Sequence, residues 1–369
     1  VNEEQRAMSD VTRMLEDTAE RLLREHCTRA VHAEAEAGIW PAALWQALEE
    51  SGLTLALTPE EAGGAGLPLL DVLGLLRIAA RHAAPVPLAE TLCGNWLAAA
   101  CGLAVEPGAV SIAPVMRSET LRIAPIEGGW RLTGRATRVP WARHVARLAV
   151  LALDEDGAPH VALVPRAALA TLSRQQNIAL EPRDTITIDA SLPAHAAAPF
   201  PGAVHAARAL GAAMRTAQIA GGLERALELC VSYSQQRVQF GRTISKFQAI
   251  QHNLATLAAE AAAASAAVGL AAEGIAGGPD LLLVAAAKGR ASEAASIGAA
   301  IAHQSHGAIG FTWEYPLNLA TRRLWSWRDE FGNEAEWYPI VADPVLTGDA
   351  AAIWPAMTRR RAPGTAEAA

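Results

Sequence analysis

Residues 237–251 read RVQFGRTISKFQAIQ and gather arginine, phenylalanine and glycine into one short stretch. An arginine presents a planar fork of donors that suits a pyrophosphate, and Phe240 offers a face on which adenine can stack or its ribose pack. Gly241, and Gly307 further along, permit close approach of backbone to a phosphate or a ring. Taken alone, Arg237 equally fits a solvated cation at a helix end. His303 and His306 stand one helical turn apart. That is half of a metal-binding pattern, but no carboxylate or third ligand has matching spacing, and helix packing is the better reading. Cys27, Cys93, Cys101 and Cys230 are scattered without C-x-x-C spacing, as reduced core thiols are. No metal is expected. Asp329 and Glu330 lie close to Arg322, Arg323 and Arg328 in the chain, where exposed ion pairing is the plain expectation.

These residues need a frame to hold them. With 369 residues, 51% of them hydrophobic, the chain has ample material for a buried core. A formal charge of −7 argues against a nucleic-acid partner, since phosphate binding gathers Lys and Arg. No basic-then-apolar leader and no long uninterrupted apolar window is read, so the expectation is a soluble cytoplasmic protein without a membrane span. Apolar residues recur at three and four in 11–30, 44–53 and 69–83, with another helix starting near Ala89. From 107 to about 190 short alternating runs take over (110–115, 121–126, 130–139, 145–153, 161–164, 185–188), which read as strands. Beyond Pro201 long helical segments return at about 205–236, 245–274, 280–307 and 315–328, a four-helix bundle in outline. The Ala-rich passage 255–302 reads as close-packed helix, because alanine is the best helix former and Leu257, Val268, Leu270 and Leu283 still supply packing groups. The domains are then 1–106 (helical), 107–200 (β), 201–360 (helical bundle) and a free tail at 361–369.

The order helix, β, helix, with local motifs in all three parts, resembles the acyl-CoA dehydrogenase family. The RVQFG strip looks like that family's R-x-x-F-G…F-Q…Q signature. Residues 304–316, QSHGAIGFTWEYP, look like its Q-x-H-G-G-x-G-[FY]-x-x-E-Y-P, with Ala308 in place of the second glycine. Residues 59–66, PEEAGGAG, look like its P-E-x-x-G-G-x-G loop. The resemblance implies an α+β fold with an N-terminal helical domain, a middle β-barrel and a C-terminal four-helix bundle. It implies FAD as cofactor, an acyl-CoA thioester as substrate in fatty acid or sterol side-chain degradation, an electron acceptor protein if catalytic, and a dimer or tetramer. In that family the strip and the Q-x-H-G segment of one subunit clasp the adenine and pyrophosphate end of FAD bound mainly by its neighbour. Carried over by position, the cofactor-binding residues are Arg237, Gln239, Phe240, Ile244, Phe247, Ile250, Gln304 and Gly307.

The family's reaction removes an α-proton with a carboxylate while hydride leaves the β-carbon for flavin, and burial makes the carboxylate a better base. The usual glutamate position, just before a glycine, falls here on Phe331; the neighbouring Glu330 and Asp329 are the substitute candidates. The alternative location near Gly211 and Ala212 holds no acid. The flavin side also departs from the family. Ile112-Ala113-Pro114-Val115 stands for T-E-P-x-x-G-S-D without its G-S-D, and Arg138-Val139-Pro140-Trp141 stands for W-[IV]-[TS]-N-G. Pro140 would replace a hydroxyl residue and removes an N–H donor; Trp141 falls three positions late. Asn333 and Ala335 also replace residues that would help bind the cofactor. The expectation is a family subunit that completes a partner's FAD site. The alternatives are a competent homo-oligomeric dehydrogenase using Glu330 or Asp329 as base and, more remotely, a cofactor-free helical structural protein.

Overall fold

The computed structural model describes residues 3–278 and 280–348, so the tail expected at 361–369 lies outside the described residues. The chain divides into two compact units, residues 1–211 and 212–369.

In the first unit, α1 (Glu3–His26) and α2 (Arg29–Glu36) occupy the stretch expected as one helix at 11–30. They separate because Thr28 caps α2: its backbone is extended and its hydroxyl accepts from the Val31 amide at 3.3 Å. α3 (Ala42–Glu50), α4 (Leu69–Arg81) and α5 (Leu88–Ala100) follow. α4 buries one face, Val72, Leu73, Leu76, Ala79 and Ala80, whereas α5 is buried almost all round. Thr91 of α5 both donates to the Val110 carbonyl (2.9 Å) and accepts from its amide (3.0 Å). The helix thereby satisfies backbone groups of β1.

The strands are β1 (Val110–Ala113), β2 (Leu121–Ile126), β3 (Gly129–Pro140), β4 (Arg147–Leu153), β5 (Pro159–Pro165), β6 (Leu169–Ser173), β7 (Arg183–Pro193) and β8 (Ala197–Pro199). They form one mixed sheet in the order β6-β7-β3-β2-β4-β5-β8, with β1 added parallel to β4. β7 shows what fixes the register: Ile186, Ile188, Ala190 and Leu192 are buried while Asp189 and Ser191 face outward. The long β3–β7 ladder is interrupted between Ala136 and Val139, where Arg138 takes a positive φ of 54°. This β-bulge bends the strand at the segment expected to face a flavin.

The second unit is helical. α6 (Ala203–Gln236) crosses the division between units, and α7 (Gln248–Ala276), α8 (Leu281–His306), α9 (Leu317–Asp329) and α10 (Glu334–Thr347) follow. α7 is long and apolar enough to cross a bilayer by length and composition, and its Leu257, Ala264, Val268 and Ala271 are buried within the unit. Small residues set the helix spacing. A Cβ at Gly298 of α8 would run into Leu223 of α6 and come within 3.1 Å of Leu257 of α7. α10 is a helix beyond the expected bundle; Pro339 and Pro344 inside it mask its helical pattern. Between α6 and α7 lies a two-stranded hairpin, β9 (Val238–Gln239) and β10 (Arg242–Thr243).

Candidate functional site

The hairpin carries the first group of chemistry-bearing residues. Gln239 pairs with Arg242 and Val238 with Thr243, leaving Phe240 (φ 50°) and Gly241 (φ 77°) as a two-residue turn. Two positive φ values match the twist of the flanking strands, which is why Asn-Gly is the usual choice for such a turn. A phenylalanine there costs about 1–3 kcal/mol of backbone strain. Phe240 is nonetheless 91% exposed, so its own chain gives it little packing in return. Its ring meets Phe247 edge-on at 6.1 Å, and the Arg242 guanidinium lies 4.3 Å from the Phe247 ring centre. Arg237 and Gln239 are exposed, while Ile244, Phe247 and Ile250 are half-buried.

The far end of α8 is tied to the same place. The His306 ring stacks on Tyr233, one turn before Arg237, at 4.6 Å, and lies 4.9 Å from Tyr315. One of its nitrogens meets the Ala302 carbonyl at 2.9 Å. His303 stacks on Phe311 (4.0 Å) and Trp325 (5.4 Å) and bonds Thr321. Burial pushes both imidazoles below the usual histidine range. Both rings act in packing, as the spacing argument expected. Cys230 Sγ sits 3.8 Å from His306, but burial pushes its thiol up to about 12, so the pair is no nucleophile–base couple. Exposed Gln304 and Gly307 (φ 64°, the cap of α8) therefore stand at the helix end that this stack fixes against the end of α6.

The third group is the loop between α9 and α10, where Phe331 precedes Gly332. Phe331 (φ 57°) and Gly332 (φ 93°) form a left-handed turn. Glu330 is not a loose acid. Its carboxylate accepts from the Arg215 guanidinium of α6 at 2.8 Å, and Arg215, only 2% exposed, also donates to Gln218 and lies 5.4 Å from the Phe331 ring. Of the local arginines expected as partners, Arg328 pairs instead with Glu334 at 3.0 Å. Asp329 is exposed. Trp337 Nε1 donates to the Phe331 carbonyl at 2.9 Å, and Lys288 Nζ donates to the Arg328 and Gly332 carbonyls at 2.7 and 2.8 Å. Arg215, Lys288 and Trp337 were not read from sequence, because each comes from a different helix; a lysine inside an alanine run was the one visible signal.

In the first unit, the segments expected on the flavin side fit that ring poorly. Glu119 accepts from both the amide (3.0 Å) and the hydroxyl of Thr137, so the donors at the bulge already have a partner. Pro140 is buried in register with Arg183 and carries no N–H. Trp141, 5% exposed, lies in an aromatic cluster with Trp40 and His144, each at 6.2 Å, and is core. The amide and hydroxyl of Thr137, Pro140 and the Trp141 ring are thus all engaged within the first unit.

Residues 9–103 match the family description "Acyl-CoA dehydrogenase, N-terminal domain", and residues 203–333 match "Acyl-CoA dehydrogenase, C-terminal domain". Acyl-CoA dehydrogenase IpdE2 of Mycolicibacterium smegmatis is 30% identical over 326 residues, covering 86% of this chain and 93% of that protein. Its namesake in Mycobacterium tuberculosis is 29% identical over 313 residues, covering 84% and 89%. Among solved structures, a variant of the Tcur3481-Tcur3483 steroid ACAD superposes with a TM-score of 0.83 at 26% identity, covering 94% of this chain and 99% of that one. The ChsE4-ChsE5 complex from Mycobacterium tuberculosis, at 22% identity and a TM-score of 0.80 over 92% and 98%, shares the fold. With both terminal domains matched and a relative aligned over most of both lengths, the chain belongs to the acyl-CoA dehydrogenase family.

Proposed function

We propose that this chain is the cofactor-completing subunit of a two-chain acyl-CoA dehydrogenase. Its partner, a chain that keeps the carboxylate and the flavin-binding strands, would carry FAD and oxidise an acyl-CoA thioester between Cα and Cβ. Arg237, Gln239 and Phe240, with Gln304 and Gly307, would close over the adenine and pyrophosphate of that FAD. Ile244, Phe247 and Ile250 would form the floor of the strip.

The observation that carries this reading is the contrast within the second unit. At the base position stands Phe331, and the adjoining Glu330 carboxylate accepts from buried Arg215 at 2.8 Å. To take a proton at that oxygen, the carboxylate would have to give up a charge-assisted hydrogen bond to a buried guanidinium. Meanwhile the adenine-side strip stays exposed, with Phe240 held outward in a strained turn. The two-part name of the steroid ACAD relative agrees with a heteromer and directs the substrate search toward steroid-derived thioesters.

The test is the visible spectrum of the chain purified alone and after co-expression with candidate partner dehydrogenases. Colourless protein alone, and a yellow complex with a partner, is the expected result. Stoichiometric flavin on the isolated chain would overturn the proposal and return attention to Glu330 and Asp329 as bases.

A further inference from the structure

Lys288 is fully buried in the middle of α8. Its Nζ has three oxygen partners: Ser292 Oγ at 2.8 Å, the Arg328 carbonyl at 2.7 Å and the Gly332 carbonyl at 2.8 Å. An ammonium has three protons and no acceptor, so the match is complete. The groups facing it are Ser292 on its own helix, Arg215 from α6, Asp329 and Glu330 at the end of α9, and Glu334 from α10.

A lysine and a serine one turn apart, with the amine pushed down to about 7 by burial, have the makings of a hydrolytic Ser–Lys pair. Burial excludes it. Both side chains are 0% exposed, and the serine hydroxyl is also within 3.3 Å of the Arg328 carbonyl, so no substrate carbonyl can reach Oγ.

What the lysine does touch is the backbone on either side of residues 329–331. The Arg328 carbonyl belongs to the last turn of α9, where helical partners run out. The Gly332 carbonyl belongs to the left-handed turn. Between them Glu330 is held by Arg215 and the Phe331 carbonyl by Trp337. At Gly332 an added Cβ would lie 2.6 Å from Trp337 Nε1. Three groups, Arg215 from α6, Lys288 from α8 and Trp337 from α10, thus over-determine one strained turn, which is the condition for such a turn to persist.

We propose that Lys288 is a positioning residue whose Nζ, by donating to the Arg328 and Gly332 carbonyls, holds the Phe331–Gly332 turn left-handed and fixes what residue 331 presents to the site. Its bearing on function rests on the reading of residue 331 as the family's base position, but the geometric claim stands on the isolated chain. A neutral amine keeps the same grip: its two protons serve the two carbonyls, and its lone pair accepts from the Ser292 hydroxyl.

Lys288→Met removes the donors and keeps the bulk. Hydrogen exchange on the isolated full chain should speed up about tenfold at amides 330–337, the loss expected for a hydrogen bond to a charged group, while amides within α7 stay unchanged. The indole N–H resonance of Trp337, assigned with Trp337→Phe, should move as its bond to the Phe331 carbonyl loosens. Uniform acceleration across the second unit, or an unchanged loop and indole, would overturn the proposal. Ser292→Ala covers the case in which Lys288→Met does not fold. It leaves the lysine its two carbonyls, so loop exchange should change by less than about threefold; acceleration of about tenfold would assign the grip to the serine and overturn the proposal. None of these readouts needs FAD or a partner, so the inference and the subunit reading fail separately.

Discussion

Phe240→Ala separates a group that stabilises this chain from one that serves an assembly. The ring is 91% exposed, and among the described residues its one ring contact is the edge-on approach to Phe247 at 6.1 Å. Such a pair is worth about 0.5–1.5 kcal/mol at most, and less in water. Thermal unfolding of the isolated variant should therefore shift by no more than about 2 °C. Against a partner's FAD the same ring has nearly all its surface left to bury. Roughly 180 Å² of apolar area at about 25 cal/mol per Å² sets a ceiling of about 4.5 kcal/mol, and transfer data for fully burying a phenylalanine side chain suggest about 1.5–3 kcal/mol. That corresponds to roughly ten- to a hundredfold weaker retention of flavin by the complex. The assay is the visible flavin band remaining on the purified complex after dilution, with calorimetry of the isolated chain as control. Phe240→Gly should weaken retention similarly and, by relieving the left-handed φ of 50°, leave the isolated chain at least as stable. Unchanged flavin retention would refute the argument, as would a fall of many degrees in the melting temperature of the isolated chain.

Glu330→Gln and Asp329→Asn should each leave thioester oxidation by the assembled enzyme within about twofold, measured with an artificial electron acceptor; a loss of about a hundredfold or more in either would identify the base. Glu330→Ala should destabilise the second unit by about 2–4 kcal/mol in denaturant titration, because Arg215, 2% exposed, keeps its charge without that carboxylate. Lys288, pushed down to about 7 from 10.5 by burial, gives a pH signature whose sign is fixed. Below pH 7 both states hold the proton; above it the folded state loses the proton first while the unfolded chain keeps it. Stability should therefore rise with pH, by up to about 1.4 kcal/mol per unit between roughly 7.5 and 8.5, and Lys288→Met should abolish the rise. At higher pH half-buried Cys101 and buried Cys230, whose ionisation is pushed up by burial, act in the opposite direction. Gly332→Ala should cost about 2 kcal/mol or more, since it combines a φ of 93° with a Cβ 2.6 Å from Trp337.

Legibility follows from how many chain segments a feature needs. The strip at 237–250 is contiguous, so its residue types and spacing were readable, although its turn was not: Phe240-Gly241 lacks the Asn-Gly signature that announces a two-residue hairpin. Most strands showed themselves by alternation, whereas β8, three residues of alanine and proline, has no pattern to read. α10 was hidden by Pro339 and Pro344. Glu330 is the sharper case. Three arginines shortly precede it in sequence, and sequence alone left it either a base or a surface acid paired with Arg322, Arg323 or Arg328. The partner the fold supplies is Arg215, 115 residues away on α6, and no local pattern encodes a pairing at that range. The same holds for Lys288, whose three acceptors include carbonyls from residues 40 and 44 positions distant. A side chain that bonds backbone carbonyls leaves no mark on the identity of the residues it holds. The turn that presents residue 331 is thus built by groups that neither the motif nor its neighbours reveal. Its geometry can persist whether residue 331 is an acid or, as here, a phenylalanine. On the proposed subunit reading, that independence of frame and residue would let a family fold keep its adenine-side clasp while the residue at its base position changes.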